Sequence, residues 1–108
     1  MYLIVTRTFP PDIGGMQNLM WGLTRSFSKH HMVKVFADYA DNHKKFDESV
    51  AFSIERIGGA KVLRKFRKAY LINEFLKNNK NIKGIIADHW KSLELIKSNK
   101  KKICLIHG

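Results

Sequence analysis

The sequence is poor in several residue types that mark common classes of protein. It holds one cysteine and two prolines in 108 residues, which excludes an intrachain disulfide framework and a proline-rich linker. No apolar run approaches the ~20 residues that a membrane-spanning helix needs. We therefore expect one globular domain in a reducing, cytoplasmic compartment, with the lone Cys104 as a small buried apolar residue.

Acidic residues are scarce as well. Nine Asp and Glu face 20 Lys and Arg, which leaves a formal net charge of +11. Such an excess indicates an anionic partner, which could be nucleic acid, anionic lipid or a phosphorylated substrate. The same excess is also typical of lysine-rich helices that are merely solvated, so the charge alone does not choose a function.

Apolar runs alternate with segments of helical periodicity along the chain. This alternation predicts an α/β, Rossmann-like fold, with a mainly parallel sheet and helices on its faces. The direction of the third strand stays open, because the polar segment 38–49 before it reads as a turn and is short for a helical crossover. The predicted strands are 2–6, 32–37, 52–57, 84–88 and 102–106, and the predicted helices are 15–29, 60–80 and 90–98.

Each of the two long helices carries a row of apolar residues on one face. In the first helix they recur at i, i+3, i+4, i+7 and i+11, namely Met16, Leu19, Met20, Leu23 and Phe27. In the second helix the corresponding residues are Val62, Leu63, Phe66, Tyr70 and Phe75.

A glycine-containing loop, residues 9–17, joins the first strand to the first helix. A helix start presents unpaired N–H groups, and glycines let an anionic ligand approach the backbone. The loop has neither the Gly-x-Gly-x-x-Gly pattern of dinucleotide sites nor the Gly-x-x-x-x-Gly-Lys pattern of the P-loop. Gly14 and Gly15 could equally serve a tight turn that needs a positive φ.

Three loops are expected at the carboxyl ends of strands, where open α/β sheets bind ligands. They are the Pro10–Gln17 loop after the first strand, Asp88-His89-Trp90 after the fourth, and His107-Gly108 after the fifth. The reversal of strand order in such sheets would bring these loops around one crevice.

Read together, these motifs make the chain resemble the amino-terminal domain of family 4 glycosyltransferases. The resemblance rests on Phe9-Pro10-Pro11-x-x-Gly14-Gly15-Met16-Gln17, on the strand entry His31-x-Val33-x-Val35, and on the turns at 88–90 and 107–108. It covers essentially all 108 residues. The pattern departs from the family at His30, where glycine is usual, and at Gln17, where glutamate is frequent.

The resemblance implies half of a GT-B fold, in an enzyme that transfers a sugar from a nucleotide-diphosphate sugar to a lipid or glycan acceptor with retention of configuration. Envelope polysaccharide or glycolipid synthesis is the expected setting, and no cofactor or metal is expected. It further implies roles for particular residues. The substrate- or phosphate-binding residues would be Gly14, Gly15, Met16 and Gln17, the acceptor-side residues Pro11, His89 and Trp90, and the catalytic residue His107. For His89 a purely structural role remains open.

The donor-binding carboxy-terminal domain of that family has no counterpart in these residues. We therefore expect residues 1–108 to be a partial amino-terminal domain, and we expect the purified chain alone to show no sugar transfer.

The basic first half of the second helix has a further interpretation. Its aromatic residues lie among Arg64, Lys65, Arg67 and Lys68, which resembles the patches that seat lipid-acceptor relatives on anionic membranes. The hypothesis is peripheral contact with the inner membrane face; the alternative is that the aromatics face the core and the charges are solvated.

Two other classes of protein are alternatives for this sequence. A small basic module that binds nucleic acid or another anionic surface without catalysis is the main alternative. Nucleic acid is disfavoured as a partner because the sequence lacks an aromatic platform, a helix-turn-helix and a zinc pattern. A receiver-like module is disfavoured because Asp12 and Asp88 are isolated acidic residues and form no cluster.

Overall fold

The computed structural model describes residues 1–106 of the chain, with Ile106 described by its backbone alone. These residues form five strands, three α-helices and one turn of 3-10 helix. In chain order the elements are β1 (Tyr2–Thr6), α1 (Gly15–Ser28), β2 (Val33–Asp38), α2 (His43–Ser49), β3 (Ser53–Ile57), α3 (Lys61–Asn78), β4 (Gly84–His89), the 3-10 turn (Trp90–Leu93) and β5 (Lys101–Ile106).

The strands form one sheet in the order β3-β2-β1-β4-β5, and all four pairings are parallel. The α/β, Rossmann-like prediction is confirmed, and the open direction of the third strand is settled as parallel. β1 lies at the centre, where a strand is covered on both faces. Its Leu3, Ile4 and Val5 are accordingly fully buried.

Each face of the sheet has its own hydrophobic core. On one face Leu3, Val5 and Phe36 pack with Ile72 of α3 and with Ile96. On the other face the side chains of β1, β2 and β4 pack against α1 and against the aromatic rings of the α2 region; this second core contains Ile4, Phe9, Met20, Trp21, Val35, Phe46, Phe52 and Ile86.

The first helix follows its predicted stripe except at one residue. Met20 is fully buried, and Met16, Leu23 and Phe27 pack against the core. Leu19, however, is 49% exposed. Trp21 takes part in the core instead and makes an edge contact with Phe46 of α2, at 5.2 Å between ring centroids.

In α3 the apolar face marked by the sequence is mostly not the face that packs on the sheet. The buried residues of α3 are Lys68, Ala69 and Ile72, with Phe75 at the edge of the core. The remaining apolar residues of the predicted stripe are exposed, namely Val62, Leu63, Phe66 and Tyr70. Apolar periodicity does not identify the buried face of α3, because this face contains a charged residue, Lys68, whose partners come from the sheet.

Three smaller predictions are corrected. Residues 43–49 form α2, although the segment 38–49 was predicted as a turn; a helix this short buries too little to show a stripe. The predicted helix 90–98 is only the 3-10 turn, Trp90–Leu93. Cys104 was predicted to be buried but is only half-buried, because it lies on β5 at the edge of the sheet.

Among residues 1–106, no helix has the length and apolar character required to cross a membrane.

A pair of substitutions tests which face of α3 belongs to the core. We expect Ile72→Ala to lower the free energy of unfolding by about 3 kcal/mol, because Ile72 is fully buried and its loss leaves a cavity. The matched substitution Phe66→Ala should change the free energy by less than about 0.5 kcal/mol, since this larger side chain is mostly exposed. Urea unfolding followed by circular dichroism measures both, and an equal cost for the two variants would contradict the structure.

Candidate functional site

The candidate site lies at the carboxyl edge of the sheet, where β1 and β4 are neighbours. From β1 the chain continues to β2 on one side, and from β4 it continues to β5 on the other. The connections therefore leave the β1–β4 pair in opposite directions. Such a point opens a crevice in which α/β proteins bind ligands.

Asp88, at the end of β4, ties this edge together. Its carboxylate is buried. One oxygen accepts a hydrogen bond from the Arg7 backbone N–H at 3.0 Å and lies 3.0 Å from the Thr6 hydroxyl. The other oxygen accepts from the Ser92 hydroxyl at 2.9 Å. Asp88 thus joins β1, β4 and the 3-10 turn, and these contacts occupy both carboxylate oxygens.

Lys68 of α3 makes the second connection at this edge. Its ammonium donates to the Asp38 carboxylate at 2.6 Å and to the Thr6 carbonyl at 3.1 Å. The Lys68 side chain is 6% exposed and that of Asp38 is 19% exposed. Burial of an ion pair is costly unless the partners are well placed, and here the pair holds α3 against the ends of β1 and β2.

A groove of about 690 Å³ opens above these contacts. Its charged side chains come from the carboxyl ends of β2 and β4 and from the segments that follow β1 and β3. Within residues 1–106 the side chains of Arg7 and Lys61 have no hydrogen-bond or ion-pair partner, so their cationic groups are available to a ligand. The groove is lined by Arg7, Thr8, Asp12, Met16, Asp38, Tyr39, Lys61, Arg64, Asp88 and His89.

The start of α1 borders this groove with an uncapped first turn. Among residues 1–106 no side chain caps the helix, and its first turn contains no acidic residue. Gly14 is extended, with φ 164°, and among the described residues Gly59, with φ 95°, is the one glycine whose φ lies in the left-handed range. The Gly14-Gly15 pair therefore does not serve a left-handed turn. A Cβ at Gly15 would meet open space, whereas one at Gly14 would meet the flexible carboxamide of Gln17.

Arg56 of β3 contacts the proline-containing part of the loop. Its guanidinium donates to the Pro10 carbonyl at 2.5 Å and pairs with both carboxylate oxygens of Asp47, at 2.8 and 3.1 Å. The guanidinium also lies 5.8 Å from the ring centroid of Phe9. The Pro10-Pro11 peptide is cis. These contacts fix the loop that leads to the helix start.

His89 is the last residue of β4, and Trp90 begins the 3-10 turn that follows. The Nδ1 atom of His89 accepts a hydrogen bond from the Lys91 backbone N–H at 3.2 Å, which caps the 3-10 turn. Because this bond occupies Nδ1, Nε2 is the nitrogen left for a ligand in the groove. Trp90 is 43% exposed, and its ring lies 5.8 Å from that of His89.

The structure brings together some of the predicted site residues but not all. Met16 and His89 line the groove, whereas Pro11, Gly14, Gly15, Gln17 and Trp90 are not among its lining residues. His107 lies outside the described residues.

Sequence reasoning missed most of the groove's polar residues. The missed residues share one signal, which is their position at or just after the end of a strand: Arg7 and Thr8 after β1, Asp38 and Tyr39 at the end of β2, and Lys61 at the start of α3 after β3. Arg64 was predicted only as a membrane-surface residue.

The predicted membrane-surface residues have different environments. Lys68 does not lie on an exposed surface as predicted, because it forms a buried ion pair with Asp38. Lys65 pairs with Glu94. Arg64 and Arg67 donate to the carbonyls of the Gly59 and Gly58 turn, at 2.9 and 2.7 Å. Because a carbonyl is neutral, both arginines keep their charge for an anionic partner.

Among residues 1–106, no group of three or more His, Cys, Asp or Glu side chains could hold a metal ion. Comparison with protein-family models gives no match for this chain, and comparison with curated proteins gives no significant match.

Asp88 and Asp12 offer a matched test of the edge network, since both carboxylates line the groove. We expect Asp88→Ala to lower the free energy of unfolding by about 3 kcal/mol, because it leaves the Arg7 N–H and the Ser92 hydroxyl without their acceptor. Asp12→Ala removes the same charge from an exposed site and should change the free energy by less than about 0.5 kcal/mol. Thermal and urea unfolding measure both; equal effects would show that Asp88 contributes only charge.

Proposed function

We propose that this chain is the acceptor-side Rossmann-like unit of a family 4 glycosyltransferase. The parent enzyme would transfer a sugar from a nucleotide-diphosphate sugar to a lipid or glycan acceptor with retention. The proposal rests on the loop and turn motifs of the sequence together with a sheet of the order β3-β2-β1-β4-β5, which is compatible with one half of a GT-B fold.

The observation that carries the proposal is the groove at the β1–β4 junction. It combines Arg7 and Lys61, two cationic side chains without a partner among residues 1–106, with His89 and with Met16 from the first turn of α1. A phosphorylated sugar or glycolipid presents a phosphate beside several hydroxyl groups. Cationic groups at one part of the groove and an imidazole at another match those two kinds of ligand group.

The residues of this groove suggest a division of roles. Arg7 and Lys61 would hold the phosphate, and the uncapped start of α1 would add its N–H groups. His89 would accept or donate a hydrogen bond to a sugar hydroxyl through Nε2. Asp88 would serve as a support and not as a base, because both of its oxygens already have partners.

Sugar transfer itself would need more than this unit. In a GT-B enzyme the donor is bound by a second Rossmann-like domain across the cleft, and residues 1–106 build one sheet. We propose that the present unit binds the acceptor and faces the donor diphosphate with its Gly14-Gly15 loop. Peripheral contact with an anionic membrane would deliver a lipid acceptor to this edge.

A titration of the ¹⁵N-labelled chain followed by NMR tests the proposal. Glucose 6-phosphate and UDP-glucose serve as phosphorylated probes, and glucose serves as the uncharged control. We expect a phosphorylated probe to shift the backbone amides of Arg7, Met16, Lys61 and His89, whereas glucose shifts none of them. The double variant Arg7→Gln/Lys61→Gln should weaken the binding at least about tenfold, since each charge-assisted hydrogen bond contributes about 1.5–3 kcal/mol.

The matched control is Lys80→Gln/Lys83→Gln, which removes two charges from exposed residues at the opposite, amino edge of the sheet. It should change the affinity less than about twofold, because exposed charges more than a Debye length away are screened. Equal weakening by both double variants would contradict a built site. Tighter binding of a single-stranded oligonucleotide to the same amides would favour the nucleic-acid alternative.

A further inference from the structure

A second groove, of about 550 Å³, lies at the amino edge of the sheet, opposite the candidate site. One of its walls is the carboxy-terminal part of α3, and the other is the segment 97–100 that leads into β5. Neighbouring parallel strands begin at the same edge of a sheet, and Gly84 at the start of β4 pairs with Lys101 at the start of β5. The fold therefore places the end of α3, which precedes β4, beside the segment that enters β5.

Asn73 of α3 connects the two walls. Its carboxamide donates to the Leu95 carbonyl at 3.0 Å and accepts from the Lys97 backbone N–H at 2.9 Å. The Lys100 backbone N–H donates to the Ser98 hydroxyl at 3.0 Å, which fixes the turn in the second wall. The second wall is thus attached to the helix through its backbone, so the fold sets the width of the groove.

The groove carries cationic side chains on both walls. Lys77 and Lys80 come from the α3 side, and Lys97 and Lys100 come from the opposite side. Glu74 is the only carboxylate among the lining residues, and it forms an exposed pair with Lys77 at 3.2 Å. Within residues 1–106 the ammonium groups of Lys80, Lys97 and Lys100 have no hydrogen-bond or ion-pair partner.

The helix dipole accounts for only part of this charge. Cations near the carboxyl end of a helix are favourable, which explains Lys77 and Lys80. Lys97 and Lys100 lie between the 3-10 turn and β5 and belong to no helix, so no dipole favours them there. Positive charges that face one another across a groove repel, and a ligand with negative charge between the walls would relieve that repulsion.

The lining residues distinguish between kinds of anionic partner. Tyr70 is the only aromatic residue among them, whereas single-stranded nucleic acid needs a succession of stacking surfaces. Leu76 is their only aliphatic residue, so the groove offers no apolar band to a lipid. A second copy of this chain would bring like charges together in a protein of net charge +11.

An acidic polypeptide segment matches both walls at once. In an extended chain successive side chains point to opposite sides, so consecutive carboxylates would face the α3 wall and the 97–100 wall in turn. The ammonium group of lysine, with three donors on a flexible stem, can pair with such carboxylates from either wall.

We propose that this surface, which we name the basic groove (Lys77, Lys80, Lys97 and Lys100), docks an acidic segment of a partner protein. This inference goes beyond the proposed function, because it holds whether or not the parent protein transfers a sugar. The partner would occupy the amino edge of the sheet and leave the groove at the β1–β4 junction accessible to a substrate.

Fluorescence anisotropy of a labelled oligoglutamate peptide tests the proposal, with the matching oligoglutamine peptide as the uncharged control. We expect the intact chain to bind oligoglutamate saturably at low salt, with an affinity that falls as salt is raised, and not to bind oligoglutamine. In NMR the peptide should shift the backbone amides of Lys97, Ser98, Asn99 and Lys100. Tighter binding of single-stranded oligothymidylate to the same amides would overturn the proposal in favour of a nucleic-acid site.

A double variant removes one charge from each wall. Lys80→Gln/Lys97→Gln should weaken the binding of oligoglutamate about tenfold, because each exposed ion pair contributes up to about fivefold in affinity. Both side chains are exposed, so the variant should keep the wild-type circular dichroism spectrum and unfolding midpoint.

The matched control is Lys44→Gln/Lys45→Gln, which removes the same charge from two exposed residues of α2, beyond the carboxyl end of β2. It should change the affinity for oligoglutamate less than about twofold, because exposed charges more than a Debye length away are screened. Equal weakening by the two pairs would show that only net charge attracts the peptide, and it would overturn the proposal.

The same variant separates this inference from the proposed function. Lys80→Gln/Lys97→Gln leaves every residue that lines the sugar-phosphate groove in place. We therefore expect it to lose oligoglutamate binding while the shifts caused by glucose 6-phosphate stay unchanged. Conversely, Arg7→Gln/Lys61→Gln should weaken sugar-phosphate binding and leave the oligoglutamate affinity within about twofold of wild type.

Discussion

The buried ion pair between Lys68 and Asp38 determines how α3 sits on the sheet. The Lys68 ammonium reaches the Asp38 carboxylate at the end of β2 and the Thr6 carbonyl at the end of β1. Loss of one partner from a buried pair costs about 3–5 kcal/mol, so a rotation of α3 that broke it would be opposed strongly. With Lys68 pointing inward, the helix buries Ala69 and Ile72 on the same side. The large apolar residues at its amino-terminal end are then left facing solvent.

The same anchor shapes the carboxyl edge of the sheet, where the candidate site lies. Because Lys68 fixes the first turns of α3 beside β1, Lys61 stands close to Arg7, and both line the groove. Asp88 holds the opposite side by joining β1, β4 and the 3-10 turn. The two carboxylate contacts are thus structural, and the cations around them have no partner among residues 1–106.

The sequence predicts the fold well and the site only in part. Strands such as residues 2–6 can be predicted from the sequence, because a central parallel strand is apolar on both faces. The buried face of α3 cannot be predicted from the sequence, because apolar periodicity favours Phe66 over Lys68 as a core residue. The partners that bury Lys68 come from strands 30 and 62 residues away along the chain. The groove residues Arg7 and Lys61 were missed for a related reason: single basic residues are common in this chain, and only the sheet order shows which of them converge. His89 was found because it belongs to a motif at a strand end.

The most direct test of this account is a double-mutant cycle on the anchor, using Lys68→Met, Asp38→Asn and the combined variant. The free energy of unfolding is measured for each by urea titration. We expect each single variant to be strongly destabilised, and the double variant to be more stable than their sum predicts by about 2 kcal/mol, the coupling typical of groups in direct contact. Additivity within about 0.5 kcal/mol would show that the two side chains act independently, and it would contradict the claim that this ion pair orients α3.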